Sequence, residues 1–211
     1  MRKPFTRRAW FVALWGGTLF CAGALTRAFA VIAAPKLLVH LDSNLLHITA
    51  PGLNFLNAKA VERLKQGVSI AFVGQLTVTS SPNAVVADAR SVARFALSYD
   101  IWDEHFSVTR FGDRPGMNRS ISHLSAQAAQ TWCLDNLAVD QAVLSTDKPF
   151  YVQVDLRADD SREQLGVIGE PGINITRLIE IFSRPVKGNQ QRWLLNAGPF
   201  TLADLKKARY G

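Results

Sequence analysis

The chain has 211 residues, 48% of them hydrophobic, which is enough for one domain with a real core. Its 24 basic and 17 acidic residues leave a net charge of +7, the balance of a nucleic-acid or membrane-surface binder. The distribution removes the support for that reading: Arg2, Lys3, Arg7, Arg8 and Arg27 fall in the first thirty residues with no acid, and from Val31 onward 19 basic residues face 17 acidic ones, so no nucleic-acid partner is expected.

Those first thirty residues read as a leader. "MRKPFTRR" is cationic, Ala9–Leu25 is an uncharged apolar run of 17, and Ala28-Phe29-Ala30 is a small-x-small cleavage pattern. A run of this length sits at the lower edge of what spans a bilayer. Two outcomes stay open: a cleaved signal peptide, or an anchor helix continuing through "AFAVIAAP" that holds the chain to the membrane. Both place residues 31–211 outside the cytoplasm, in the periplasm or an equivalent compartment. "TRRAWF", Thr6 to Phe11, resembles a twin-arginine export signal, with the general secretory route as the alternative. Cys21 follows Phe20 instead of a small residue, which argues against a lipoprotein.

"PKLLVHLDSNLLHITA" predicts strand–turn–strand about Asp42-Ser43-Asn44, with His40 and His47 side by side across the hairpin. Asn57 then caps a helix carrying Ala60, Val61 and Leu64 on one face and stopped by Gly67. Val68, Ile70, Phe72, Leu76 and Val78 alternate with polar residues, the period of a half-buried strand, and Gly74 at an inward position suggests a bulge. Ala93, Phe95, Leu97 and Tyr99 repeat the pattern, as do Phe106 and Val108, so Asp100, Asp103, Glu104 and His105 fall at a hairpin bend. Trp102 in that bend either folds back onto the core or stands exposed as a recognition anchor.

A helix is expected over "SISHLSAQAAQTWCLDNL", with Ile121, Leu124, Ala128 and Trp132 on its stripe and Ser120 or Ser122 as cap. Cys133 on that helix reads as buried and structural; Cys21 goes with the leader, so the exported part has no internal disulfide. Phe150, Val152, Val154 and Leu156 give a late strand, and "RADD" at Asp159 and Asp160 a solvated turn. "INITRLIEIFSRP" gives a further helix, Lys187-Gly188-Asn189 a turn, "RWLLNAGPF" a last strand and "TLADLKKARYG" a short basic end.

The fold expected is mainly β with α (α+β). It is an antiparallel β-sandwich-like domain over residues 31–211 with two or three packed helices, preceded by the signal or anchor helix of residues 1–30.

Chemistry is sparse. "GVIGEPG", Gly166 to Gly172, lacks the spacing of a phosphate loop, and there is no Gly-x-Ser-x-Gly, His-Glu-x-x-His or Cys-x-x-Cys. One histidine and three carboxylates at a bend are too few and too local for zinc or iron, and lack the alternating ligands of a calcium loop. No metal, cofactor or catalytic residue is therefore expected. Asn118 and Asn174 fit the glycosylation sequon, which recurs by chance.

"LHITAPGLNFLNAKAVERLKQGVSIAF", the Arg94, Leu97, Ser98 and Tyr99 pattern of "ARFALSYDIWDEHFSV", and "PFYVQVDLRAD" together resemble the domain of unknown function 4390 family. These are exported bacterial proteins, some encoded beside membrane sensor kinases, and the resemblance covers about residues 36–160. It implies a sandwich-like exported domain and assigns no site, because that family has no established catalytic residues.

Three functions follow as expectations. The leading one is a noncatalytic envelope domain that binds a protein partner or assists assembly, with Trp102, Asp100, Asp103, Glu104 and His105 as recognition candidates. The second is a small-ligand or metal-binding accessory domain using the Asp100–His105 cluster or the His40/His47 pair. The third is an envelope hydrolase with a site assembled from distant residues.

Overall fold

The computed structural model describes residues 35–82, 84, 86–112, 117–145, 148–159, 182 and 190–210. The leader, Asp160, the Gly166–Gly172 segment, Asn174 with most of the helix expected after it, and the turn at Lys187 lie outside the described residues.

The elements run β1 (Leu38–Asp42), β2 (Leu45–Thr49), α1 (Ala58–Lys65), β3 (Ile70–Thr79), β4 (Ala89–Asp100), β5 (His105–Phe111), β6 (Arg119–Leu124), α2 (Ala126–Asp135), β7 (Val139–Asp140), β8 (Phe150–Asp159), β9 (Arg192–Phe200) and α3 (Leu202–Tyr210). Two antiparallel sheets result, one ordered β1-β2-β7 and one ordered β6-β5-β4-β3-β8-β9. The chain is mostly antiparallel β with helices, the α+β class expected from the alternation. No helix among the described residues is long and apolar enough to cross a membrane.

Local chemistry explains the breaks. Ser43 and Asn44 take φ 46° and 67°, the mirror-image turn whose twist suits a two-residue hairpin, and they set His40 opposite His47. The Asn57 side chain accepts the Ala60 N–H at 3.0 Å and starts α1, while Gly67 at φ 81° lets the chain turn away. One hydrophobic cluster runs from Leu37 to Leu205. The inward faces of β3, β4 and β8 supply Phe72, Leu76, Phe95, Leu97, Val154 and Leu156; Leu64 of α1 and Cys133 of α2 pack against them.

Several expectations change. Residues 119–124 form β6 against β5, because Ser125 caps α2 by accepting the Ala128 N–H at 3.2 Å and so begins the helix after Leu124. Gly74 makes no bulge: its pairing is continuous on both sides, and a Cβ there would lie 2.6 Å from Leu137 Cδ1, so glycine is required by close packing. Val68 precedes β3 and is exposed. Asp159 is no solvated turn but the last residue of β8, with a nearly buried side chain. The basic end is helical, with Leu202 and Leu205 buried.

Candidate functional site

The β4–β5 hairpin reverses at residues 101–104, with Asp100 paired to His105. Asp100 explains the bend: its Oδ1 accepts the N–H of Trp102 at 2.8 Å and of Asp103 at 3.2 Å. Those two backbone donors, Trp102 first, hold its carboxyl below the usual aspartate range, and His123 and His105 add a smaller electrostatic pull. Glu104 sits in the left-handed region at φ 55°, completing the reversal. His105 Nδ1 donates to the Asp103 carbonyl. With the backbone held in this way, Ile101 is 60% and Trp102 89% exposed. Of the two positions open to Trp102, the structure takes the exposed one.

A second strand reaches the tip. The pairing of β5 with β6 shifts between Phe106 and Val108, which leaves an extra residue in β6, and His123 there has φ 61°. Its ring centroid lies 5.7 Å from that of His105, its Nε2 is 3.8 Å from Asp103 Oδ2, and its Nδ1 is 3.0 Å from Ser122 Oγ. Helical spacing in the sequence hides His123 from the tip. The change of period at Ser125, a good cap, is the signal that points to it. Ser122, His123 and Asp103 superficially follow a Ser–His–Asp order, but the His123 and Asp103 side chains are 70% and 62% exposed, so water competes for every contact a proton relay would need.

His40 and His47 lie side by side across the hairpin as expected, and their rings stack with centroids 5.5 Å apart. Asp135, which ends α2, joins them: His47 Nδ1 donates to the Asp135 carbonyl at 2.9 Å and lies 3.2 Å from its Oδ1, while His40 Nε2 is 3.8 Å away. His47 thus satisfies a carbonyl at the helix C-terminus, ties α2 to the small sheet and spends one imidazole nitrogen in doing so. Among the described residues no three His, Cys, Asp or Glu side chains are placed to hold a metal ion.

The large sheet also carries a charge cluster that no sequence motif marks. Asp155 on β8 is buried and takes contacts from two guanidinium groups: Arg157 Nη2 at 2.8 Å, and Arg192 of β9 through Nε at 2.9 Å and Nη2 at 2.8 Å. Burial pushes the Asp155 carboxyl up, but the hydrogen bonds from Arg157 and Arg192 outweigh it and hold the group below the usual range. Arg157 also stacks on the Phe182 ring at 4.8 Å, and Arg94 lies 3.2 Å from Asp159 and over Phe111. The cluster is paired and largely buried, the form of a structural network.

Comparison with protein-family models, with curated proteins and with solved structures finds no match.

Proposed function

We propose that this chain is an exported, noncatalytic envelope domain that binds a protein partner through the β4–β5 hairpin tip. The observation that carries the reading is Trp102, 89% exposed at a bend fixed by the Asp100 side chain. Leaving a tryptophan in water gives up the burial that stabilises most tryptophans in folded proteins, and exposed aromatics on a stiff scaffold make efficient binding anchors because little entropy remains to be lost. The leader and the resemblance to the domain of unknown function 4390 family support an extracytoplasmic, sandwich-like domain, either released into the periplasm or held at the membrane by its N-terminal segment.

The test is cross-linking in native membranes from a photoreactive residue at position 101, followed by pulldown. A specific adduct that disappears on Trp102→Ala is the expected result. Adducts indifferent to that change would remove the tip from the interface. Metal analysis of the purified chain addresses the accessory-domain alternative: stoichiometric metal lost on His105→Ala or His47→Ala would favour it.

A further inference from the structure

We infer that the partner presents an apolar cleft rimmed by Lys and Arg. This rests on the tip being the recognition element and adds the chemistry of what it recognises. Ile101 and Trp102 are exposed neighbours, and Asp100, Asp103 and Glu104 place three carboxylates within the five residues 100–104. Acids elsewhere on the large sheet are matched by guanidinium groups, Asp155 by Arg157 and Arg192 and Asp159 by Arg94. At the tip, by contrast, Asp100 is held by the Trp102 and Asp103 N–H groups, and the exposed Asp103 has an imidazole at 3.8 Å as its described charge partner. Lys65 lies over the Tyr99 ring at 5.5 Å, on the strand residue that precedes Asp100, and it is one cation beside three carboxylates. The tip is therefore an acidic spot, with two histidines at its base, on a chain of net positive charge.

An apolar surface alone would bury the indole at the cost of desolvating nearby carboxylates with nothing to pair them. A cationic rim removes that cost, and charges around an anchor also steer the encounter. A bilayer would accept the tryptophan at its interface, but anionic headgroups repel the carboxylates beside it. A protein cleft with basic edges fits both halves of the tip.

The experiment selects a displayed random-peptide library on the full-length chain. Enriched peptides should combine aromatic or aliphatic residues with Lys or Arg. Their affinity should fall at least about 30-fold on Trp102→Ala, the size of an anchor residue's contribution. The double change Asp103→Lys with Glu104→Lys should weaken binding by about tenfold and flatten its salt dependence, since exposed charges act through screened fields. Peptides that need Trp102 but ignore the charge reversal would overturn the cationic partner and leave the tip reading standing. A selection yielding nothing dependent on Trp102 would overturn both. Binding to phosphatidylglycerol–phosphatidylethanolamine vesicles that is lost on Trp102→Ala would assign the tip to the bilayer instead and overturn the protein cleft.

Discussion

Asp155 and Asp103 are the same side chain in opposite circumstances, one on a strand of the large sheet and the other at the tip of one of its hairpins. Asp155 is 5% exposed and gripped by two guanidinium groups; the Asp103 side chain is 62% exposed, with an imidazole 3.8 Å away as its nearest described charge partner. Charge removed from water has to be answered within the protein, so the first cluster is fixed by folding. Charge left in water asks nothing of the fold, so the second is free to serve something outside it. The comparison separates residues that build this molecule from residues it presents.

The largest effect should come from breaking the buried side. Asp155→Ala takes the carboxylate from between Arg157 and Arg192, one of them a buried guanidinium, which should cost about 3–5 kcal/mol by denaturant unfolding. A loss below about 1 kcal/mol, the worth of an exposed pair, would put the cluster in the same class as the tip and dissolve the contrast. The linkage has a sign as well. The Asp155 carboxyl is depressed in the folded chain, so its contribution is full above the ordinary aspartate pKa and is lost as pH falls through the lowered value.

Cys133 sharpens the comparison from the apolar side. It is 1% exposed, and burial pushes its thiol well above the usual range. A titratable group buried without a charge partner stays neutral, where Asp155, buried with two, stays ionised. Native Cys133 should resist thiol reagents until the chain unfolds, and Cys133→Ala should cost on the order of 1 kcal/mol. Rapid native labelling would show that α2 opens and exposes it.

Much of the fold is legible in the amino-acid order. Period-two alternation locates the strands from Phe72 to Leu156, because a half-buried strand writes its face into the sequence. The Ser43-Asn44 turn and the Asn57 cap are readable because their side chains and φ preferences act locally. What stays hidden is non-local. Asp155, Arg157 and Arg192 converge only after β8 pairs with β9, and Asp135 meets His47 only after α2 packs on the small sheet. Gly74 reads as a bulge because Leu137, which demands the glycine, is 63 residues away in the chain. The β6 stretch reads as helix since Ile121 and Leu124 also suit helical spacing, and an edge strand pairs on one side only. At the candidate site, the bend and its acids are legible from Asp100 to His105, whereas the exposure of Trp102 emerges only once the bend is closed and the approach of His123 depends on how β6 pairs.

Asp100 tests the join between the two regions, being an exposed acid with a local structural duty. Its carboxyl is depressed chiefly by the Trp102 and Asp103 N–H groups, so the bend should persist at a pH where ordinary aspartates are half protonated and loosen only in stronger acid. The Trp102 amide shift followed against pH by NMR reads this directly. A midpoint at the ordinary aspartate value would mean that the two hydrogen bonds do not hold the tip in solution. Asp100→Asn keeps an acceptor oxygen and should retain the bend while removing the titration.

The smallest effects on stability belong to the outermost side chains. Asp103→Ala and Glu104→Ala should each change unfolding free energy by less than about 0.5 kcal/mol, since neither side chain is buried and the backbone contacts that close the bend use the Asp103 N–H and carbonyl, which alanine keeps. Trp102→Ala belongs with them, although a buried tryptophan truncated to alanine costs about 3–5 kcal/mol. At 89% exposure the indole has almost no burial to lose. Thermal denaturation of the three variants decides the matter. If Trp102→Ala costs several-fold more than either acid, the ring spends its time on the core and is held by the fold like Asp155. If all three unfold with the parent chain, any binding they lose is lost at the tip itself, because nothing beneath it has moved.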